Sequence, residues 1–523
     1  MAGSSQVLVA GAGPVGLTMA LELARLGVAV RIVDKAGQRT DKSKALVVWP
    51  RTLELLEASG VADRFLAEGL RVTETRLFAG NRKLAEIPLA LIASDHNFAL
   101  FLPQSETERL LEEHLAGLGV AVERGVELAS FSQDEASVAA VLAHPDGSRE
   151  EAAFDWLLGC DGAHSTVRHA LGATFSGEVE DNDWMLGDVL IDQGSGSGPA
   201  LKPMTLTIFW HAEGLLVFFP ITPERFRVVA DFGPAASAGR REDPTLQDIQ
   251  EVMDRRGPGG WRAHDPYWLA AFRINERQAD RYRQGRVFLA GDAGHIHSPA
   301  GGQGMNTGMQ DAVNLAWKLA LVCHGQASPA LLDSYGSERM PVAAAVIRAA
   351  GAGTRLATQR DPLRQRLRNT LASLLTRFTP VRRRFVNTLS EVTVAYPHSP
   401  LNGPAPLLSR LRRQVLPGER VPNARLDSAC GEPSTLHRRL GAGRFLVVAV
   451  PGASRPDPAG QASFAARWGS VAEVVSLALD GRGRMGGACG ALTLVRPDGY
   501  AALVTGPDNW KAVEEHLARL LGR

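Results

Sequence analysis

The first residues whose spacing suggests chemistry are the glycines of Gly11-Ala12-Gly13-Pro14-Val15-Gly16, a GxGxxG pattern between an apolar run and a helical one. In such a pattern Gly11 permits a tight turn, Gly13 lets a pyrophosphate approach the backbone, and Gly16 lets the helix pack closely on the strand. Pro14 begins the helix, whose first amides then face the phosphates. The segment predicts a dinucleotide-binding turn.

An acidic residue closes the second strand of the same unit. Asp34 lies 18 residues after Gly16, and its carboxylate can accept hydrogen bonds from ribose hydroxyls while it would repel a 2′-phosphate. Asp34 therefore favours FAD or NAD over NADP at this site, and we include the adjacent Lys35 among the predicted cofactor contacts. A glycine turn that holds no ligand is the alternative interpretation.

Two later segments also end an apolar strand in an acidic turn. Asp161 follows the run 157–160 and begins an Asp-Gly turn, which by itself is weak support for function. Gly291 and Asp292 follow a second buried run, and a glycine-rich loop then leads from Pro299 into a long helix that starts near Met305. Such a loop brings backbone amides against a planar ligand, and the helix start stabilises negative charge on it.

Three other patterns carry weaker predictions. Residues 481–486 also fit GxGxxG, but a strand-like run follows them, so no helix start is available for phosphate. His295 and His297 offer two metal ligands and no third, so we expect no metal site. Residues on two predicted strands are candidates for an aromatic-substrate pocket, with ordinary sheet core as the alternative; they are Trp210, His211, Phe218, Phe219 and Pro220.

The elements that must position these residues follow from the apolar patterns. The first 34 residues read as a βαβ unit, which implies a parallel sheet covered by helices. Residues 175–275 read as antiparallel strands, and the run 286–290 returns to the first sheet, which makes the first domain discontinuous. Residues 340–395 are helical and rich in arginine; we interpret them as a solvated helix face, with a patch for an anionic partner as the alternative.

Composition limits the possible classes of protein. The chain has 523 residues, 45% of them apolar, and 57 − 56 = +1 formal charge, which is typical of a soluble globular protein and gives no overall reason to expect nucleic acid. The four cysteines form no CxxC pair, so we expect a reduced, cytoplasmic protein. We also expect no signal peptide and no membrane span, because no basic leader and no window of about 18 uninterrupted apolar residues occur.

Together, the GxGxxG, the Asp-Gly segment and the Gly-Asp segment resemble those of the group A flavoprotein monooxygenases, typified by para-hydroxybenzoate hydroxylase, phenol hydroxylase and the aromatic polyketide hydroxylases. The resemblance implies FAD, with its ADP part on residues 11–16 and Asp34 and its ribityl chain at Asp292. It also implies that Asp161 lies near the pyrophosphate and the NAD(P)H route, and that Gln104 contacts the flavin chain. Where many relatives have an arginine near the flavin, this chain has Lys44, whose point charge does not copy a bidentate fork.

The resemblance also implies an architecture. We expect an α/β protein with a Rossmann-like FAD-binding domain, an antiparallel-sheet substrate domain, a helical middle section and a C-terminal thioredoxin-like domain. The expected ranges are 1–175 and 276–395 for the two parts of the FAD-binding domain, the second including the helical region, 176–275 for the substrate domain, and 400–523 for the C-terminal domain. Since that last domain has no CxxC, its expected role is packing or oligomerisation.

The implied activity is that of an aromatic hydroxylase. NAD(P)H, as NADPH or NADH, reduces FAD, dioxygen forms the flavin C4a-hydroperoxide, and a phenolic or polycyclic aromatic, polyketide-like substrate is hydroxylated. The residues expected to face the isoalloxazine and support catalysis are Pro299, Gly302, Gly304, Met305 and Asn306. We expect a monomer or homodimer with no nucleic-acid or membrane partner. Baeyer-Villiger or epoxidising oxygenation, polyprenyl reduction and a non-catalytic FAD-binding sensor are the alternatives.

Overall fold

The structure is a computed structural model that describes residues 6–194, 198–234, 241–405, 415–427, 434–449, 457–478 and 491–523. The strands are β1 (Val7–Ala10), β2 (Val30–Asp34), β3 (Val47–Val48), β4 (Leu70–Val72), β5 (Glu74–Ala79), β6 (Arg82–Pro88), β7 (Ala99–Phe101), β8 (Val122–Arg124), β9 (Glu127–Gln133), β10 (Val138–Ala143), β11 (Arg149–Phe154), β12 (Trp156–Gly159), β13 (Phe175–Gln193), β14 (Thr205–His211), β15 (Gly214–Pro220), β16 (Arg225–Pro234), β17 (Trp261–Ala279), β18 (Arg283–Gln284), β19 (Val287–Leu289), β20 (His295–Ile296), β21 (Phe445–Ala449), β22 (Ala472–Ser476), β23 (Leu492–Val495) and β24 (Ala501–Thr505). The helices are α1 (Pro14–Arg25), α2 (Pro50–Ser59), α3 (Ala62–Glu68), α4 (Gln104–Gly117), α5 (Thr166–Ala170), α6 (Leu246–Arg256), α7 (Gly304–Cys323), α8 (Ser334–Ala357), α9 (Pro362–Leu375), α10 (Thr379–Leu389), α11 (Leu436–Leu440), α12 (Pro458–Trp468) and α13 (Trp510–Leu521).

A six-stranded sheet carries the glycine turn, in the order β18-β19-β12-β1-β2-β8. Strand β1 lies at its centre and pairs in parallel with β2 and β12, and β12 pairs in parallel with β19. All four residues of β1 are buried, as expected for a strand covered by helices on both faces. The predicted βαβ unit and the return of a distant strand to the first sheet are confirmed.

An eight-stranded sheet forms the second layer, in the order β20-β17-β13-β16-β15-β14-β5-β6. The predicted antiparallel strands are present, and α6 packs on one face against apolar side chains of β13 to β16. Strands β5 and β6 also join this sheet, because β5 pairs in parallel with β14. This hairpin comes from within the range that the sequence assigned to the FAD-binding domain.

The C-terminal unit has a four-stranded sheet in the order β22-β21-β23-β24. Strands β21 and β22 are parallel and joined through α12, while β23 and β24 are antiparallel to their neighbours and precede α13. This is the thioredoxin-like order that the resemblance implies. The second GxGxxG, residues 481–486, lies outside the described residues, as do Cys430 and Cys489; Cys160 and Cys323 are free thiols.

A buried cluster of charged side chains joins the C-terminal unit to the helices of the first domain. Lys318 of α7 and Arg496 both contact the carboxylate of Glu338 on α8, and Arg496 also pairs with Asp498. Each of these side chains is at most 2% exposed. Because removing one member of a buried ion pair leaves an uncompensated charge, the cluster fixes the C-terminal unit to α7 and α8.

Among the described residues, no helix is both long enough and apolar enough to span a lipid bilayer.

Candidate cofactor and active site

The three glycines of the first turn have different surroundings. Gly11 has φ +101°, and a Cβ on it would lie 2.4 Å from the carbonyl oxygen of Cys160. A Cβ on Gly16 would lie 1.8 Å from the carbonyl oxygen of Gly11, whereas a Cβ on Gly13 would have no atom within 4 Å. The fold itself therefore requires Gly11 and Gly16, and the space beside Gly13 is open at the start of α1.

Asp34, at the end of β2, holds this turn in place. Its carboxylate accepts hydrogen bonds from the backbone amides of Ala12 (2.6 Å) and Ala36 (2.8 Å). A carboxylate has about four acceptor positions, so both oxygens retain capacity for a ribose hydroxyl. Lys35 is exposed beside it, and the guanidinium of Arg124 from β8 lies 3.9 Å from Asp34 Oδ2.

Asp161 directly precedes the turn that follows β12. Its Oδ2 accepts from the amide of Val167 (3.1 Å), while its Oδ1 is buried without a hydrogen-bond partner in the protein. A buried acceptor of this kind calls for a donor from a ligand or water. Arg168 of α5 donates to the carbonyls of Ala163 (2.8 Å) and Ala293 (3.1 Å), and it thereby joins this segment to the Gly-Asp turn.

The Gly-Asp turn lies against the starts of two helices. Gly291 has φ +60°, and a Cβ on it would meet Val15 of α1 at 2.7 Å. A Cβ on Gly308 of α7 would lie 3.1 Å from the Cα of Gly291. The structure therefore brings the three predicted segments, at residues 11–16, 161 and 291–292, together at one edge of the six-stranded sheet.

Asp292 is accessible and yet surrounded by protein. Its side chain is exposed to solvent, but desolvation by the surrounding atoms raises the pKa of its carboxyl, with His295 and Lys44 offsetting part of that effect. A group that is both accessible and enclosed lines a recess rather than the outer surface. Lys44 is itself exposed, and its carbonyl accepts from Arg227 of the eight-stranded sheet (3.0 Å).

The loop before α7 is held by Asn306. The side chain of Asn306 donates to the carbonyls of Val47 and Gly302 (both 2.9 Å) and accepts from the amide of Trp49 (2.8 Å). The indole of Trp49 donates to the carbonyl of Gly301 (2.8 Å). The amide group of Asn306 is therefore engaged by the protein itself, and its side chain fixes the shape of the loop.

The first turn of α7 presents free amides. The first intrahelical hydrogen bond of α7 runs from the amide of Thr307 to the carbonyl of Gln303 (2.8 Å), so the amides of Gly304, Met305 and Asn306 have no acceptor within the helix. Pro299 is exposed at the beginning of the loop, and Gly301 and Gly302 have φ of +91° and +64°. The predicted catalytic residues therefore lie on one loop and helix start. Gln104, at the start of α4, accepts from the amide of Ala45 (3.1 Å) and donates to Glu108 (2.9 Å).

The predicted substrate residues divide between two faces of the eight-stranded sheet. Phe218 is fully buried under α6, with its ring centroid 5.2 Å from that of Trp261. Trp210 and Phe219 lie on the opposite face and are partly buried, and the Phe219 ring lies 6.0 Å from that of Phe101. The structure thus places Trp210 and Phe219 on one face of the sheet and Phe218 on the other.

The remaining two predicted substrate residues lie at strand ends. His211 ends β14 at the hairpin, where its Nδ1 accepts from the amide of Glu213 (3.2 Å). Desolvation lowers the pKa of His211. Pro220 is buried at the end of β15, two residues from Phe218.

Comparison with known proteins identifies the family. Residues 4–350 match the FAD binding domain model, and residues 414–523 match the model of the aromatic-ring hydroxylase C-terminal domain. The chain belongs to the FAD-dependent aromatic-ring hydroxylases. The predicted membership is thereby confirmed, and the protein is an FAD-dependent aromatic monooxygenase.

Its relatives include enzymes of antibiotic biosynthesis. It is 36% identical over 509 residues to the 12-dehydrotetracycline 5-monooxygenase/anhydrotetracycline 6-monooxygenase of Streptomyces rimosus, covering 96% of this chain and 95% of that protein. Its fold matches the solved anhydrotetracycline hydroxylase from Streptomyces rimosus with a TM-score of 0.79, 32% identity and 99% coverage of both chains. It also matches aklavinone-11 hydroxylase in complex with FAD and aklavinone (TM-score 0.80, 27% identity, 100% coverage of both chains).

The residues of this monooxygenase fit FAD. Open space beside Gly13 suits a pyrophosphate, the unpartnered Oδ1 of Asp161 suits a donor from the cofactor, and Asp292 lines a recess where a ribityl hydroxyl can donate to it. The free amides of α7 suit the electron-rich edge of a flavin. Within the described part of the chain, no group of three metal-ligating side chains occurs.

Sequence reasoning missed the polar residues that brace the hydroxylase site from behind. Asp311, buried on α7, accepts from the amide of Gly291 (3.1 Å), from His295 Nε2 (2.7 Å) and from Arg339 Nε (2.6 Å). Burial opposes ionisation of Asp311, but Arg339 and His295 outweigh it and lower its pKa. Asp311 is the single acidic residue of α7, and this is the signal that would have found the network.

A second missed residue is Glu391, which follows α10. It is buried with φ +61°, and it accepts from Thr307 Oγ1 (2.7 Å) and Gln310 Nε2 (2.6 Å) of α7. Its partners are neutral, so burial raises the pKa of Glu391 to about 7, with Thr307 and Arg339 opposing that shift.

Proposed function

We propose that this enzyme hydroxylates a polycyclic aromatic, polyketide-like substrate, with NADPH or NADH as the reductant and dioxygen as the oxidant. The observation that carries the proposal is the aromatic face formed by Trp210 and Phe219 on the eight-stranded sheet. That face contacts Phe101 of β7, whose partner strand β3 lies against the loop before α7: a Cβ on Gly302 would lie 3.1 Å from Val47 of β3. The proposed position of a flat, multi-ring substrate is between this face and a flavin bound at the loop.

The similarity to enzymes that act on tetracycline precursors and on aklavinone supports a substrate of several fused rings. Partly buried aromatic side chains stack on such rings and contribute about 0.5 to 1.5 kcal/mol each beyond the area that they bury. Phe219 is only partly buried and is the proposed specificity residue of this pocket, while Trp210, whose ring packs against the guanidinium of Arg368 at 4.4 Å, borders it.

The roles of the chain are to bind, orient and exclude water. FAD, when bound, supplies the activation of dioxygen. The first-turn amides of α7 stabilise negative charge near them, and Asn306 keeps the loop in one shape through its three hydrogen bonds. The carboxylates of Asp161 and Asp292 provide hydrogen-bond acceptors at the edge of the six-stranded sheet. Orientation of this kind lowers reaction barriers by up to roughly 7 to 11 kcal/mol in favourable cases.

The reductant, the quaternary state and the location of the protein belong to the same proposal. Among the described residues, the six-stranded sheet carries one glycine turn of the dinucleotide-binding type, so NAD(P)H is proposed to bind transiently over the flavin domain. The free thiols of Cys160 and Cys323 agree with a reduced, cytoplasmic environment. A monomer or homodimer is proposed.

The test is product analysis with purified, FAD-loaded enzyme and labelled dioxygen. Phenols, naphthoquinones and anthraquinones are offered with NADPH or NADH, and the expected product carries one labelled oxygen as a new ring hydroxyl. Phe219→Ala should raise the KM for an accepted substrate about three- to tenfold and leave FAD affinity unchanged. Labelled oxygen in an ester or lactone, or reductant oxidation that yields only hydrogen peroxide with every compound, would reject the proposal.

A further inference from the structure

Helices α9 and α10 carry an unusual number of exposed apolar side chains. Leu363 and Leu367 are 73% and 60% exposed, and Leu371 continues their i, i+4 row along α9. Phe378 lies between the helices, and Val381 and Phe385 extend the exposure along α10. Single exposed apolar residues are ordinary, but a contiguous stripe of them on a protein surface marks an interaction site. We call these six residues the apolar stripe.

The same segment is strongly basic. Residues 356–389 contain eight arginines and a single acidic residue, Asp361. Arg368 points inward, buried with its guanidinium 4.4 Å from the centre of the Trp210 ring, and Arg360 donates to Asp231 (3.0 Å). The exposed arginines are Arg364, Arg366, Arg377, Arg383 and Arg384. Within the described residues none of these five forms an ion pair, so their charge is free for a partner.

Both helices also pack against the rest of the protein. Val386 is buried, and Ala372 and Leu389 pack in the cluster that includes Trp49 and Phe219. The apolar stripe is separate from these packing contacts, because each helix meets the rest of the protein through residues outside the stripe. It is a second apolar face on elements that cover the proposed substrate region.

We propose that α9 and α10 dock on an anionic lipid surface. A row of leucines and phenylalanines flanked by arginines is the pattern of an interfacial helix, which buries its apolar side about 5 to 10 Å into the headgroup region. Arginines at the margin place their charges among anionic headgroups while their stems cover apolar surface. Surface binding of this kind needs no membrane-spanning helix, and it replaces the expectation from the sequence that the protein has no membrane partner.

Charge distinguishes the lipid surface from a second copy of the chain. Self-association through the apolar stripe would bring two sets of five unpaired arginines together, with Asp361 as the sole acid of each segment. Like charges in a shared interface are unfavourable, whereas each arginine near an anionic bilayer strengthens binding by roughly fivefold. The observed composition favours the lipid.

The test is co-sedimentation of the full FAD-loaded chain with vesicles. We expect binding to vesicles of phosphatidylcholine mixed with phosphatidylglycerol, weaker binding to phosphatidylcholine alone, and release by salt. Arg383→Gln with Arg384→Gln should lower the partition coefficient by about 25-fold, and Leu363→Gln with Leu367→Gln should lower it by more than tenfold. The matched controls, Arg82→Gln with Arg149→Gln and Leu118→Gln, change exposed residues elsewhere and should bind as the wild type does.

Other outcomes would overturn the proposal. These are failure of the wild-type protein to bind anionic vesicles, or equal binding by both stripe variants and their controls. A dimer in solution that Leu363→Gln with Leu367→Gln dissociates would show that a second copy covers the stripe. If the protein binds polyaspartate as tightly as it binds vesicles, and if Leu363→Gln with Leu367→Gln leaves that binding unchanged, the partner of the arginines would be an acidic protein. Retention of FAD absorbance verifies that each variant is folded, and the arginine variant tests the proposal independently if the leucine variant fails to fold.

Discussion

Substitution of Gly13 by alanine separates cofactor binding from folding at the glycine turn. Gly13 has φ −76° and ψ −176°, an extended conformation that alanine adopts without strain, and its Cβ would meet no protein atom within 4 Å. The variant should therefore fold normally. Because alanine restricts the unfolded chain, the free energy of unfolding of the apoprotein should rise by about 0.4 to 1 kcal/mol.

FAD binding should respond in the opposite direction. The added methyl group occupies the open space into which the pyrophosphate is placed. Inserting one carbon into a close contact costs about 1 to 3 kcal/mol, which corresponds to a dissociation constant about 5 to 150 times higher. By contrast, Gly16→Ala would place its Cβ 1.8 Å from the carbonyl oxygen of Gly11, so this variant should be destabilised with or without FAD.

The assays are urea unfolding of the apoproteins and titration of each with FAD, followed by flavin fluorescence. Gly506→Ala is the matched control, since a Cβ there also meets no atom within 4 Å and the residue lies in the C-terminal unit. Unchanged FAD affinity in the Gly13→Ala variant would refute the close approach of the pyrophosphate. Loss of apoprotein stability would refute the claim that the space beside Gly13 is open.

Two further predictions concern residues behind the site. Glu391 has its pKa raised to about 7 from an ordinary 4.5, so it stays protonated in the folded protein where the unfolded chain has ionised; the free energy of unfolding should fall by about 3 kcal/mol from this group as pH rises from 4.5 to 7. Glu391→Gln should remove that part of the pH profile measured by urea unfolding, and an unchanged slope would contradict the assignment. Asn306→Ala leaves three backbone groups without partners and should cost about 3 to 5 kcal/mol of apoprotein stability. Asn306→Asp retains the acceptor for the Trp49 amide but turns a carboxylate oxygen toward the carbonyls of Val47 and Gly302 in a buried position, so it should destabilise the apoprotein at least as much. A loss below 1 kcal/mol for Asn306→Ala would show that the loop is held by other contacts.

The parts of the fold that the sequence predicts well are those set by local patterns. The βαβ unit around residues 6–34 combines a strand, a glycine turn and an amphipathic helix in adjacent positions. The return of β19 to the same sheet was also predictable, because a fully apolar run before Gly291 needs a buried position. Each acidic turn follows such a strand. The sequence therefore predicts acidic side chains at the sheet edge without knowledge of which strands pair.

The contacts that the sequence does not predict join residues far apart in the chain. The hydrogen bond between Trp49 and Asn306 spans 257 positions, and β5 pairs with β14 from another part of the chain. The separation of Phe218 from Phe219, in contrast, can be predicted from the sequence. Adjacent residues of a strand point to opposite faces of the sheet, so these two side chains do not line one pocket. The predicted substrate pocket included both residues because both are aromatic, and aromatic character does not determine the face on which a side chain lies.

The C-terminal unit contacts α2 and α7, the two helices whose starts lie beside the loop before α7. The side chain of Asp498 accepts from the indole of Trp317 on α7 (3.1 Å), and its carbonyl accepts from Arg51 in the first turn of α2 (2.8 Å). The starts of these two helices are joined again by the Asn306 side chain, which bonds to the amide of Trp49 just before α2.

These contacts form a closed frame of α2, α7 and the C-terminal unit. Along α7, Asn306 and Lys318 lie 12 residues apart, about 18 Å at the rise of an α-helix. A helix of that length anchored at both ends leaves its first-turn amides little freedom, which is the condition for orienting charge at a flavin. These contacts agree with the packing role implied for a thioredoxin-like unit without CxxC, and we propose that they hold the loop before α7 in a single shape.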